Sequence, residues 1–380
     1  MRRIPVIDIT DLYLPPQDAG DNFDLIMPYG LPEVDLRAVI LDATEEFRQP
    51  DALLHRAWYE DHQGPRDPGF IAVAQLNYIF GRQVPCATGP FSLMRSSEDC
   101  MYGVPTFQQQ GIELILETLR QSEERVTIMT QGSVRTLAAA YNRDPALLHA
   151  KVERIHLSAG ASSPHYLEWN VNLDPHAFVC LLRSKLPIAL YPCATEGGPF
   201  AYGSHNSFWA LPDLRFIAGM HPQLRRYLGF AFAHLTRMDF LRAMDYDLPD
   251  DVMEQVYTTA TKAFSKDGHL HHVWETALWA NITNRHLVRR QDSTHRLLPQ
   301  CEVCATDKVL PNILRPCTIE VCDDGMFTFA FTDEPTNFAM YDRGDAYENE
   351  RAFREALPAL YQSFVPESHE VDPLSWSPRI

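Results

Sequence analysis

The run Val6-Ile7-Asp8-Ile9-Thr10-Asp11, followed after a short loop by Asp18, Asp21 and Asp24, places a series of carboxylates near the start of the chain. An apolar run that ends in acids reads as a buried strand delivering them to its carboxyl end, the edge at which open α/β sheets place their ligands. Carboxylates brought together there repel one another unless a positive charge lies between them. A hard divalent cation with oxygen ligands turns that repulsion into coordination. The plainer alternative is a solvated acidic loop.

The cysteines suggest less chemistry. Cys301 and Cys304, followed by Cys317 and Cys322, have a zinc-like order, but the second pair is too widely spaced for a zinc ribbon. Cys322 also falls in the stretch 318–331, which reads as a hairpin with Asp324-Gly325 at its turn. Cys86, Cys100, Cys180 and Cys193 are scattered and read as reduced packing residues.

To position the acids, the chain has 380 residues at 45% hydrophobic content, enough for a large core. Strand-like runs at Ile4 to Ile9, Leu36 to Leu41, Val84 to Ala87, Val126 to Met129, Arg154 to Ser158 and Leu186 to Tyr191 are separated by longer segments, with helical patterns over Gly111 to Glu123 and Val134 to Tyr141. Such alternation predicts an α/β fold, a mostly parallel open sheet with helices on both faces. Beyond residue 200 the pattern predicts further helices over 212–245, 250–265 and 269–290, and no linker or repeat breaks the chain. A single domain over 1–380, with a helical elaboration at about 205–290, is the expectation.

A net charge of −17 argues against nucleic acid or an anionic membrane as the main partner, and favours a small uncharged or cationic ligand. No apolar stretch reaches the length needed to span a bilayer, and no secretory apolar region follows Met1. A cytoplasmic protein is expected.

Four segments, in order, resemble the inosine-uridine nucleoside hydrolase superfamily. The acidic opening is similar to the family's Asp-x-Asp-x-Gly-x-Asp-Asp motif in stretched form. The segment 126–138 is similar to its strand-then-helix Gly-Pro-Leu-Thr-Asn-Leu-Ala. Glu168-Trp169-Asn170, followed by Asp174-Pro175, resembles Glu-Phe-Asn and Asp-Pro-x-Ala, and 272–277 stands where the family carries a last metal-binding Asp on a helix.

The resemblance implies a calcium ion that holds the ribose 2′ and 3′ hydroxyls and lowers the pKa of a water, which attacks the anomeric carbon with inversion through an oxocarbenium-like transition state. It implies Asp11 and Asp24 as metal ligands with Asp8 in support, the backbone carbonyl of Arg135 as another ligand, and Glu275 in place of the last Asp. The position before Asp24 holds Phe23, which accepts no proton, so Asp21 is the expected general base. Glu168 and Asn170 match the ribose contacts, Trp274 stands where a nucleobase would stack, and His272 is the expected proton donor to the leaving base. A nucleoside or related ribosyl substrate and a homo-oligomer complete what the resemblance implies. The alternatives are a catalytically impaired relative that binds metal and sugar, or a hydrolase of another glycoside. The Gly-rich, aromatic segment Thr195 to Trp209 has the make-up of a substrate-covering loop.

Overall fold

The computed structural model describes residues 3–14, 19–44, 67–233, 246–258 and 271–366; Asp18 and parts of the helices expected over 212–245, 250–265 and 269–290 lie outside them. The strands are β1 (Ile4–Thr10), β2 (Val34–Leu41), β3 (Cys86–Thr88), β4 (Val126–Thr130), β5 (Val152–Ser158), β6 (Ile188–Tyr191), β7 (Trp209–Leu211), β8 (His271–Val273), β9 (Arg285–Arg289), β10 (His295–Pro299), β11 (Lys308–Val309), β12 (Ile313–Val321), β13 (Phe327–Phe331) and β14 (Phe338–Asp342). The helices are α1 (Gly20–Gly30), α2 (Phe70–Ile79), α3 (Thr106–Gln121), α4 (Arg135–Arg143), α5 (Pro145–Lys151), α6 (Trp169–Leu173), α7 (Pro175–Arg183), α8 (Pro222–Phe232), α9 (Asp250–Thr258), α10 (Leu278–Ile282) and α11 (Ala346–Ser363).

A nine-stranded sheet runs in the order β13-β12-β14-β6-β5-β4-β1-β2-β3. Every pairing from β14 to β3 is parallel, and β12 and β13 add an antiparallel edge. All six expected strands are found. The chain moves outward from β1 to β3, then returns to lay β4 on the other side of β1. The crevice between the carboxyl ends of β1 and β4 is therefore the topological switch point, where neighbouring loops diverge and leave room for a ligand.

Alternation along each strand feeds two separate cores. Val6 of β1 packs with α1, α8 and α11, whereas Ile7 and Ile9 pack with α3, α4 and α7 on the opposite face. Asp8 and Thr10 share the Val6 face, so a carboxylate is buried under α1 in the middle of the sheet. His156 on β5 lies on this side too, its Nδ1 2.9 Å from the Tyr191 hydroxyl. Burial pushes its pKa down to about 3. The unfolded chain takes up that proton near the ordinary pKa of about 6.5, so this residue's contribution is intact above that pH and lost as the pH falls toward 3. H156Q, which does not titrate, is expected to flatten the acid limb by up to about 1.4 kcal/mol per pH unit. Urea unfolding at several pH values checks this; a wild-type-minus-variant difference that ignores pH refutes it.

Past residue 200 the expected helical block is instead mixed. His271-His272-Val273 is a strand antiparallel to Trp209-Ala210-Leu211, and β9 follows α10 directly. Three residues make too short a strand to show a period of their own, and their partner lies some sixty positions away. The hairpin of β12 and β13 is as expected, with Gly325 at φ +86° in the turn. All eight cysteines are free thiols, with Cys317 buried and Cys301, Cys304 and Cys322 exposed. No described helix is long and apolar enough to cross a membrane.

Candidate active site at the sheet switch point

Helix α1 starts at Gly20 and runs through Pro28, whose ring nitrogen leaves the Asp24 carbonyl without its usual partner one turn on. One turn of spacing puts Asp21 and Asp24 on one face of this helix. Between them, Asn22 accepts a hydrogen bond from the Tyr227 hydroxyl at 2.9 Å. Phe23 turns away into the core, its ring 5.2 Å from Tyr361 and 5.4 Å from Phe216. The absence of a carboxylate at position 23 is thus a packing choice.

Asp8 and Asp24 are both fully buried. Burial pushes Asp8 up to about 7. Asp24 stands well above the ordinary carboxylate range, first through burial and then through the negative charges of Asp8 and Asp11, against which only the Trp279 hydrogen bond acts. Among the described residues, neither oxygen of Asp8 has a hydrogen-bond partner, nor does Asp24 Oδ2.

Across the crevice, the loop after β4 contributes Gln131, whose Nε2 donates to Thr10 Oγ1 at 3.0 Å and to Asp21 Oδ1 at 3.4 Å. Its Oε1 is buried without a partner. Gly132 follows at φ +70°, and a Cβ there would meet Asp42 Oδ2 at 2.6 Å and Asp11 Cβ at 3.0 Å, so only glycine lets this loop lie between the two acids. Asp42, at the end of β2, accepts from the Ser133 amide and hydroxyl at 2.7 and 2.8 Å.

The expectation at Arg135 concerns its backbone carbonyl; the side chain has a separate task. Arg135 heads α4, where its carbonyl faces the helix's own hydrogen-bond ladder. Its guanidinium is buried on Asp174 at 2.6 Å and on the carbonyls of Pro90, Phe91 and Leu173, each at 3.1 Å. Gln131, four residues earlier, is the residue of this loop that reaches Asp21.

Glu168 caps α6, accepting from the amides of Gly160, Asn170 and Val171 at 2.8, 2.9 and 3.3 Å, and Asn170 Nδ2 donates to the Ser158 carbonyl at 3.1 Å. Glu168 thus has the capping role that its spacing also allows, while the Asn170 side chain ties α6 to the end of β5. Burial raises Glu168 to about 7 in spite of those amides. The buried Cys193 thiol, raised first by burial, is pushed up further by the charges of Glu168, Glu275 and Asp11. The charges of these three groups, from distant parts of the chain, thus act on one cysteine.

Glu275 is buried in the turn after β8, where its Oε2 accepts from the Trp274 amide at 3.1 Å. Its charge and that of Asp24 both act on Tyr361. Among the described residues no three His, Cys, Asp or Glu side chains stand in a ready-made metal cluster. The chemistry of the donors still suits a hard cation, since several are buried oxygens without partners and the charges acting on Asp24 are negative.

Trp274 is buried, its indole donating to the Pro199 carbonyl at 3.2 Å and its ring 5.4 Å from Phe208 and 5.8 Å from Phe200. Its neighbours are thus the chain's own aromatics. His272 stacks on Phe208 at 5.5 Å and meets Phe200 edge-on at 4.8 Å. Cys193 packs in this aromatic group as well, which joins it to the acidic crevice.

Arg343, just after β14, holds the 195–209 loop in place. It donates to the carbonyls of Gly203, at 2.9 Å, and Phe208, and to Asn206 Oδ1 at 2.7 Å. R343K keeps the charge and loses the fork, so buried acceptors go unpaired at about 1–3 kcal/mol each. We expect a loss of about 2 kcal/mol and faster proteolytic cleavage within 195–208. Urea unfolding with limited proteolysis checks it, and an unchanged cleavage rate refutes it.

A model of the inosine-uridine preferring nucleoside hydrolases matches residues 69–269. The chain belongs to this family. The pyrimidine-specific ribonucleoside hydrolase RihA of Escherichia coli O1:K1 is 36% identical over 190 residues, covering 45% of this chain and 55% of RihA. RihA of Shewanella sp. strain ANA-3 is 36% identical over 93 residues, covering 23% of this chain and 29% of its own. The chain spans about half the length of the first of these relatives. Among solved structures, a purine-preferring ribonucleoside hydrolase from Gardnerella vaginalis superposes with a TM-score of 0.50 at 12% identity, covering 94% of this chain and 99% of that one. The type III effector XopQ, complexed with adenosine diphosphate ribose, gives 0.51 at 14% identity, covering 95% and 93%. At such identities the family shares its fold with this chain, a mostly parallel sheet flanked by helices.

Sequence reasoning missed Asp42, Gln131, Tyr227 and Trp279. A carboxylate at the end of the strand Leu36 to Leu41 was a readable signal for Asp42. For the other three the chain offers no local sign.

Proposed function

We propose that the protein hydrolyses the N-glycosidic bond of a ribonucleoside or a related ribosyl compound, with calcium as cofactor. The observation that carries this reading is the set of buried oxygens without partners on Asp8, Asp24 and Gln131 at the switch point. Asp11, Asp24 and Glu275, with Asp8 in support and Gln131 alongside, would hold the ion. When bound, it supplies attraction for vicinal hydroxyls and acidifies water.

The chain's own groups do the rest. Asp21, oriented by Gln131, takes the proton of the attacking water. Glu168 keeps spare acceptor positions after capping α6, and with Asn170 it holds the ribose hydroxyls. His272 protonates the departing base, and Trp274 with the neighbouring aromatics walls off water around it. On this reading residues 1–380 are one hydrolase-like domain that works as a homo-oligomer.

A second reading is a relative that binds metal and sugar without turnover; the core position of Phe23 favours it, because the residue before Asp24 is no base. Calcium-loaded protein tested against a panel of purine and pyrimidine nucleosides for released ribose separates the two. We expect release from at least one nucleoside, lost with chelator and regained with calcium. Calcium binding with no release from any member would establish the second reading.

A further inference from the structure

Trp279 lies in α10 with its side chain fully buried, more than 250 positions from the acid it touches. Its indole Nε1 donates to Asp24 Oδ1 at 2.5 Å, while Asp24 Oδ2 has no partner among the described residues. An indole N–H is a donor only. It can therefore neither compete for a cation nor rotate into another role, and it fixes which carboxylate oxygen is engaged.

The anchorage on the other side is equally direct. Thr283 donates from its amide at 3.0 Å and from its hydroxyl at 2.6 Å to the Trp279 carbonyl. Trp209 Nε1 donates to Thr276 Oγ1 at 2.9 Å, tying the turn between β8 and α10 to β7. The turn that carries Trp274 and Glu275 is thus joined to α1 through one indole and to β7 through another.

We infer that Trp279 is a positioning residue for Asp24: its indole holds Oδ1 so that Oδ2 is the oxygen offered to a hard divalent cation, and it links occupation of the acids to the turn bearing Glu275. This rests on the cation reading above. A charge-assisted hydrogen bond of this kind does for a carboxylate ligand what outer-shell carboxylates do for a histidine ligand, setting its orientation and its charge.

Calcium titration of the full chain by calorimetry, with W279F beside the unmodified protein, tests the inference. Phe fills most of the indole's volume but donates nothing. The expected result is calcium binding by the unmodified chain and a 10- to 100-fold weaker affinity, roughly, in W279F. Equal affinities would overturn the inference and leave the cation reading standing; no binding by the unmodified chain would overturn both. A measurement on the unmodified protein covers failure of W279F to fold. The Trp279 indole 1H–15N resonance is expected to shift when calcium is added, and a resonance that stays in place while calcium binds would also overturn the inference.

Discussion

Exchange of Asp24 for Asn is expected to abolish calcium binding while leaving the metal-free protein at least as stable as the unmodified chain. The two effects have opposite signs for one reason. Asp24 is fully buried, the charges of Asp8 and Asp11 act on it, and the Trp279 indole donates to its Oδ1. An Asn oxygen still accepts from that indole, so the amide keeps the bond and removes the repulsion. It also removes the charge a calcium ion needs. Affinity should fall more than about 100-fold, the upper end of what loss of an outer-shell partner costs. Ribose release should fall on the order of 1,000-fold. Melting curves in chelator and in calcium read both halves together: calcium should raise the melting temperature of the unmodified protein and not that of D24N. A calcium-dependent rise in D24N equal to that of the unmodified chain would sink the assignment of Asp24 as a ligand.

Replacement of Arg135 by Met should be the most destabilising single change outside the apolar core, at about 3–5 kcal/mol. The side chains of Arg135 and Asp174 are 1% and 0% exposed, so neither can turn to water when its partner goes. Asp174 Oδ1 caps α7 through the Ala177 amide at 3.2 Å, and Oδ2 accepts from the Met94 amide at 2.9 Å as well as from Arg135. R135M strands that carboxylate and leaves the carbonyls of Pro90, Phe91 and Leu173 without their donor. D174N in the R135M background removes the stranded charge and should recover part of the loss, a coupling that a double-mutant cycle in urea measures. A loss under about 1 kcal/mol in R135M would show that water reaches this pair.

Much of the site was readable because the signals were local. Asp8 and Asp11 end an apolar run, Asp21 and Asp24 are one helical turn apart, and Asp174-Pro175 is a helix start whose side chain does accept from the Ala177 amide. The 269–290 expectation went astray, and the partner of the Arg135 side chain went unread, for a shared reason. A motif match at 135 says nothing about Asp174, whose negative charge captures the side chain from 39 positions away. In the same way, no helical or strand period in His271-His272-Val273 announces the ladder with Trp209-Ala210-Leu211.

By itself the amino-acid order determined the α/β class, the parallel sheet, the acidic end of its first strand and the family resemblance. The first three follow from periodicities and caps that act over a turn of helix or a few residues of strand, whereas the resemblance rests on four short segments matched in order. Only the tertiary structure decided that Gln131 meets Asp21, that Asp42 braces the loop after β4, that Phe23 belongs to the core and that an indole from α10 holds Asp24. Those contacts depend on strand order and on which face each residue takes in the sheet, and a fully buried charge is felt across distances that no sequence window spans.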